Sequence, residues 1–177
     1  MPATPGPPIA VIPGVFRFRY PTGTFNTEAP WIDPIDGAPY VLTKENSTTC
    51  RLFRYPLPLD AAVERALGLE ATLTGMPTLC TGAAISQDGS WVLARNNTQI
   101  RAWPRADGAS FVSAFRNPAC TTLHSVGQAE AIAIDPTGRG PFAIREGRGA
   151  AIELSVLTFP AAQVVALSAG LRLVLNR

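Results

Sequence analysis

The sequence predicts an all-β fold, a β-propeller of three recognisable four-stranded blades and hence a partial or half propeller. The first observation is a pattern that occurs three times, an apolar run closed by a turn with Asp and Gly, at residues 28–37, 81–89 and 130–138. The second is the period, because the turn glycines Gly37, Gly89 and Gly138 follow one another at 52 and 49 residues. The third is that each copy reads as strands, and strands repeated about every 50 residues are typical of propeller blades.

The first blade, at about residues 15–75, follows a leader at 1–14 that we expect to be flexible. Alternating apolar and polar residues predict strands, and turn residues separate them. The predicted strands are 15–20, 29–32, 40–43, 51–55 and 71–73. Good helix formers occur at 60–68, but this stretch is short and we interpret it as an excursion between blades.

The second and third blades are predicted at about 76–122 and 123–160, and an apolar tail follows at 161–177. Their predicted strands are 83–86, 91–94, 99–103 and 111–115, then 131–134, 141–144 and 151–154, with 164–167 as a candidate for the last. The apolar stretch 156–175 is interpreted as final strands or a packed helix, since it falls short of a clean membrane span of about 20 residues. A membrane role is therefore not expected.

Three blades form an incomplete ring, because propellers typically close with about four to eight blades. Three alternatives stay open: the chain is a fragment, two copies close one ring, or the terminal segments supply a further irregular blade. Exposed sheet edges favour pairing with another chain. The sequence therefore favours a homodimer that completes a propeller.

Composition narrows the classes of partner and compartment. The chain has 177 residues, 46% of them hydrophobic and 16% charged, with a net charge of +2. Such a weak charge gives no basic stripe for nucleic acid, so we expect none as a partner. The proline-rich start lacks the charged n-region of a secretory signal peptide. Localisation is undetermined on these grounds.

Several residues of types that often take part in catalysis or binding are better explained by structural roles. Cys50, Cys80 and Cys120 lack C-x-x-C spacing; a disulfide between Cys80 and Cys120 and three unpaired thiols both stay open. His124 is the single histidine and is interpreted as a loop residue. Aspartates in the repeated turns cap the local backbone, and the tryptophans are expected to pack between sheets; these residues are Asp33, Asp36, Asp88, Asp135, Trp31, Trp91 and Trp103.

A charged cluster follows from aligning the repeats on their turns. Glu28, Thr81 and Glu130 fall at one equivalent position, the start of each first strand. Counting outward along each hairpin places Lys44 beside Glu28, Arg95 beside Thr81, and Arg145 with Glu146 beside Glu130. Because the first strand of a blade lines the central channel, we expect these side chains at one mouth of that channel, and we call them the channel-mouth charges.

Two interpretations of the channel-mouth charges compete. Carboxylates are the ligands that Ca²⁺ prefers, so Glu28, Glu130 and Glu146 are candidate metal ligands, and a bound metal would polarise a phosphate or an ester. The alternative is a set of structural ion pairs in which Lys44, Arg95 and Arg145 neutralise the carboxylates. One Lys or Arg falls beside each repeat position, which favours neutralised ion pairs over a metal site.

The segments 26–44, 81–89, 127–132 and 135–140, with Glu146-Gly147, resemble a family of bacterial six-bladed β-propeller proteins of mostly unassigned function. That family is related in fold to phytase-like and esterase-like propellers. The resemblance covers about residues 16–155 and corresponds to the later half of a full-length member. It implies the propeller fold and the export of some full-length relatives. More weakly, it implies a hydrolytic activity.

No catalytic constellation emerges from the motifs, and no G-x-S-x-G elbow is present. The sequence therefore predicts a binding or scaffold module whose partner is an unknown small molecule or protein. The alternative is a metal-dependent hydrolase, phytase-like or esterase-like, with Ca²⁺ at the channel mouth. Whether the chain is an enzyme stays open at this point.

Overall fold

A computed structural model describes residues 14–123, 129–135, 140–145 and 152–154. The predicted all-β class is confirmed, because the described elements are thirteen strands and one short helix. The strands are β1 Phe18–Arg19, β2 Thr27–Ile32, β3 Pro39–Thr43, β4 Cys50–Arg54, β5 Arg65–Ala66, β6 Gly68–Leu73, β7 Gly82–Ile85, β8 Trp91–Arg95, β9 Gln99–Pro104, β10 Cys120–Leu123, β11 Ala129–Ile134, β12 Pro141–Arg145 and β13 Ile152–Leu154, and the helix is α1 Phe111–Phe115.

Three antiparallel sheets follow one another along the chain. The first has the order β2-β3-β4-β6, the second β7-β8-β9-β10, and the third β11-β12-β13. Each is a meander in which consecutive strands pair, which is the arrangement of a propeller blade. Strand β7 contacts both β2 and β11, so the first strands of the three blades are neighbours. The described residues thus form a partial propeller with its first strands innermost.

The sequence repeat corresponds to a repeated turn between the first two strands of each blade. The same backbone hydrogen bond closes all three turns at 2.9 Å: Asp33 N–H to Ala38 O, Ser86 N–H to Trp91 O, and Asp135 N–H to Gly140 O. Two of the turn glycines have positive φ, 72° at Gly37 and 73° at Gly89. Only glycine adopts this conformation without steric cost, which explains why the sequence repeats it.

The main core lies between the first and second blades. Trp31 stacks on Tyr40 with ring centroids 5.7 Å apart, and Phe111 meets both rings edge-on. Trp103 and Phe115 form a further edge-to-face pair, with ring centroids 5.0 Å apart. The tryptophans therefore pack between sheets, and each such aromatic pair adds about 0.5–1.5 kcal/mol beyond its buried area.

Two further hydrophobic clusters lie on either side of this core. Trp91 and Leu93 pack against Ile132 and Ile134, which joins the second blade to the third. The free face of the first blade, with Phe53 at its centre, is covered by aromatic side chains from the segment before β2. We call this cluster the aromatic cover: Phe18, Tyr20, Phe25, Val41, Phe53, Tyr55 and Leu67.

Several predicted elements differ in the structure. The sequence predicts a strand at 111–115, but these residues form α1, because the Ser110 side chain caps the helix and Phe111, Ala114 and Phe115 share one buried face. The fourth strand of the second blade is instead β10. The strand predicted at 15–20 shrinks to β1, which pairs in parallel with β5 rather than joining a blade.

Other predictions are partly or wholly outside the described residues. These concern residues 1–13, His124, Glu146 and the tail from 155 onward. The three cysteines are buried thiols that are not joined to one another. Among the described residues, the one helix is too short to span a membrane.

Candidate functional site

Two of the predicted metal ligands occupy matching irregularities at the start of their strands. The pairing of β2 with β3 shifts register between Thr27 and Ala29, which places Glu28 in a β-bulge. The pairing of β11 with β12 shifts in the same way between Ala129 and Ala131, which places Glu130 in a second bulge. A bulge redirects the side chain of its extra residue. The two glutamates are therefore equivalent in structure as well as in sequence.

Glu28 is engaged by its predicted neighbour. The Lys44 ammonium donates a hydrogen bond of 2.6 Å to Glu28 Oε2, and both side chains are half-buried. The backbone supports this contact, since Lys44 N–H donates to Asn26 O at 2.8 Å. One carboxylate oxygen of the candidate metal ligand is thus already paired with a cation.

Arg95 is fully buried beside the second bulge. Its Nε and Nη2 donate to its neighbour's carbonyl, Asn96 O, at 3.1 and 3.0 Å, while Nη1 has no hydrogen-bond partner among the described residues. Burial lowers the pKa of the guanidinium, and the nearby Glu130 carboxylate and Cys80 oppose this shift. Attraction to the Glu130 carboxylate therefore helps to keep the desolvated Arg95 side chain protonated.

A close approach of backbones explains why these charges are near each other. The Thr81 N–H donates to Arg95 O at 2.9 Å, and a Cβ on the next residue, Gly82, would lie only 3.0 Å from Glu130 O. Glycine thus allows β7 to approach β11 without a steric clash.

The remaining channel-mouth charges are described only in part. Arg145 ends β12 with its backbone opposite Ala129, and Glu146 lies outside the described residues. Within the described ranges, no group of three or more His, Cys, Asp or Glu side chains is placed to hold a metal ion. The roles of Glu28, Glu130 and Glu146 as metal ligands stay a prediction.

A buried ion pair between blades was not predicted from the sequence. Arg105 Nη1 and Nη2 donate to the two carboxylate oxygens of Asp33 at 3.0 and 2.9 Å, and both side chains are buried. The guanidinium also lies 4.2 Å from the centre of the Phe111 ring. Asp33 has its predicted turn role as well, because Oδ1 accepts from Ile35 N–H at 3.0 Å. The two residues are 72 positions apart, so no local pattern links them.

The same interface leaves a groove of about 570 Å³ on its outer side. We call it the blade groove. It is bounded by residues 71–75 at the end of the first blade, by Arg101 and Trp103 of β9, and by Phe115 and Arg116 around the end of α1. No sequence pattern indicates this groove, because its two walls come from different repeats.

Comparison with known proteins finds distant structural likeness alone. No protein-family model matches the chain, and no curated protein matches it. Among solved structures, the β-propeller domain of Cps50 (Swd1) from Myceliophteria thermophila is similar, with a TM-score of 0.49 and 10% identity over 79% of this chain. A functionally unknown protein from Desulfotomaculum acetoxidans is similar with a TM-score of 0.44 and 12% identity over 76% of this chain.

The chain spans 38% and 46% of the length of those two chains. Likenesses of this strength carry no argument about fold, ligand or activity. The assignment of propeller blades therefore depends on the sheets themselves, with their meander order and adjacent first strands.

Proposed function

We propose that this chain is a β-propeller binding or scaffold module, without catalysis, whose partner is a small molecule or a protein. The observation that carries the proposal is the ion pair between Lys44 and Glu28 at 2.6 Å. It supports the interpretation of the channel-mouth charges as structural pairs, because a carboxylate held by an ammonium is less available to a metal or to a reacting group. Arg95, buried in the field of Glu130, fits the same interpretation.

The joint between the first two blades supports a scaffold role. Stacked and edge-on aromatic rings fill it, and the buried Asp33–Arg105 pair fixes the turn of one blade against the next. Such an interface holds surface residues of both blades at set distances. Pre-organised surfaces lose less conformational entropy on binding, which favours affinity.

A second candidate function is a metal-dependent hydrolase, phytase-like or esterase-like, and the matched bulges at Glu28 and Glu130 favour it. In this alternative Glu28, Glu130 and Glu146 would hold Ca²⁺, which takes about 6–8 oxygen ligands. The metal would supply Lewis acidity toward a phosphate or an ester. It would have to compete with Lys44 for Glu28, which is why we rank it second.

The finer likeness to bacterial phytase-like propellers and the predicted homodimer belong to the same proposal. The sequence segments that carry the resemblance include both bulged strands. A second copy of the chain is a candidate for completing the ring, since three blades alone leave it open.

Turnover measurements distinguish the two functions. We propose to assay p-nitrophenyl acetate and p-nitrophenyl phosphate with calcium and with chelator, using the wild type, the double variant Glu28→Gln/Glu130→Gln and the control Glu70→Gln, which alters an exposed carboxylate of β6. The binding module is expected to give the same background rate in every case. Calcium-dependent turnover that the double variant loses and the control keeps would establish the hydrolase instead.

A further inference from the structure

We propose that the blade groove binds an extended peptide segment that carries an acidic side chain. The peptide main chain would run along β6, and its carboxylate would meet Arg101 and Arg116. This inference rests on the proposed function in one respect, since it gives the binding module a contact surface. The groove is separate from the channel-mouth charges, so the two can be tested independently.

The shape of the groove points to a strand edge. It is lined by five consecutive residues, 71–75, of which 71–73 are the last three residues of β6. Alternate side chains of a strand point to opposite faces, so a cavity that follows consecutive residues runs along the backbone edge rather than over one face. Strand β6 ends its sheet and pairs only with β4. Alternate N–H and C=O groups on its other side are therefore turned toward the groove, as in strand addition by a bound peptide.

The charge of the groove points to an anion. Its lining includes two arginines and no acidic residue. Arg101 is oriented by hydrogen bonds from Nε to Gln99 Oε1 and from Nη1 to Gly75 O, which leave Nη2 for a ligand. Arg116 is exposed at the end of α1. Neither arginine forms an ion pair with the described residues, and guanidinium groups match carboxylates well.

The floor of the groove suits an apolar or small side chain next to the acidic one. Trp103 and Phe115 line the groove and are both buried, so they form its base, and their ring centroids are 5.0 Å apart. Thr72, Thr74 and Asn117 add hydrogen-bonding groups at the rim. A volume of about 570 Å³ falls within the 300–1,000 Å³ typical of ligand sites.

An extended peptide fits these features better than a small free anion. A free anion would use the two arginines alone and would leave the edge of β6 and the aromatic floor without contacts. A peptide uses all three, because its main chain pairs with the edge while alternate side chains reach the floor and the arginines. The two arginines, the free edge of β6 and the aromatic floor all lie along this one groove.

Fluorescence polarisation tests this proposal on the whole chain. The probe is a labelled octapeptide of alternating threonine and glutamate, and its matched controls replace glutamate by glutamine or N-methylate alternate backbone amides. We expect the glutamate peptide to bind and both controls to bind at least about tenfold more weakly. Arg116→Gln, at an exposed site, is expected to weaken binding by about tenfold, as is Arg101→Gln, whereas Arg19→Gln, on the far side of the first blade, should leave it unchanged.

Four outcomes would overturn the proposal. Equal binding of the glutamate and glutamine peptides would remove the role of charge, and equal binding of the N-methylated peptide would remove strand addition. Competition by free glutamate at the concentration of the peptide would reassign the groove to a small anion. Displacement of the peptide by dimer formation would reassign it to a second copy. Calcium-dependent turnover at the channel mouth, with peptide binding intact, would overturn the proposed non-catalytic function and would still support peptide binding in the groove.

Discussion

At the scale of single residues, the Asp33–Arg105 pair is the interaction whose loss should be most costly. Both charges are buried and joined by two hydrogen bonds. Removing one partner leaves an uncompensated buried charge, which typically costs about 3–5 kcal/mol. We expect Asp33→Ala to lower the free energy of unfolding by that amount, measured by urea denaturation.

Glu64→Ala is the matched control for that substitution. Glu64 pairs with Arg19 at 3.5 Å, and both side chains are more than half exposed. Exposed pairs contribute about 0.2–1 kcal/mol, so this variant should stay close to the wild type. Similar losses for the two variants would contradict the account of the joint between blades.

The buried thiols give the protein a defined sensitivity to alkaline pH. Burial raises the pKa of Cys50 to about 12 and that of Cys80 to about 11, above the ordinary value of 9.0. The unfolded chain therefore releases these protons first, and stability falls wherever the unfolded state binds fewer protons. We expect full stability below pH 9 and a decline between pH 9 and pH 11 on the order of 1 kcal/mol per pH unit for each thiol.

Urea denaturation across this pH range checks the prediction. Burial also raises the pKa of Tyr40 and Tyr55, which adds a decline of the same sign at higher pH. Because Cys50→Ala removes one of the two thiols with a raised pKa, the stability of this variant should decline less steeply than that of the wild type above pH 9. A wild type whose stability is unchanged up to pH 11 would show that these thiols are exposed to solvent.

At the scale of elements, the contact between β7 and β11 depends on the absence of a side chain at Gly82. A Cβ there would lie 3.0 Å from Glu130 O, which is backbone and cannot move alone. Gly82→Ala should separate the two strands and lower the unfolding free energy by about 1–3 kcal/mol.

Gly68→Ala provides the comparison on β6. Its Cβ would meet Arg54 O at 3.8 Å, an ordinary contact. We expect this variant to be as stable as the wild type or slightly more stable, measured by the same denaturation experiment. A stable Gly82→Ala variant would mean that the second and third blades are not packed as closely as described.

The hairpins could be predicted from sequence because each is encoded locally, by alternating residues and a turn with a required glycine at Gly37 or Gly89. Helix α1 was missed, although Ser110 followed by Phe111, Ala114 and Phe115 is a capped helical pattern. The Asp33–Arg105 pair and the blade groove could not be predicted, since both join residues that only the packing of two blades brings together.

At the scale of the whole molecule, the repeat predicted the blades and the channel-mouth charges but not what completes the ring. The aromatic cover occupies the free face of the first blade, so a ring closed through that face requires the cover to move. The predicted homodimer is tested by sedimentation of the chain in solution. A mass of twice 18.8 kDa would support it, and a stable species of 18.8 kDa would exclude it.

We propose that the channel mouth holds structural ion pairs in a binding module rather than a calcium site. Thermal unfolding of the whole chain with calcium and with chelator tests it directly, because a ligand that binds only the folded state must raise the melting temperature. We expect the same melting temperature in both conditions, for the wild type and for Glu28→Gln. A rise with calcium concentration that Glu28→Gln abolishes would contradict the account.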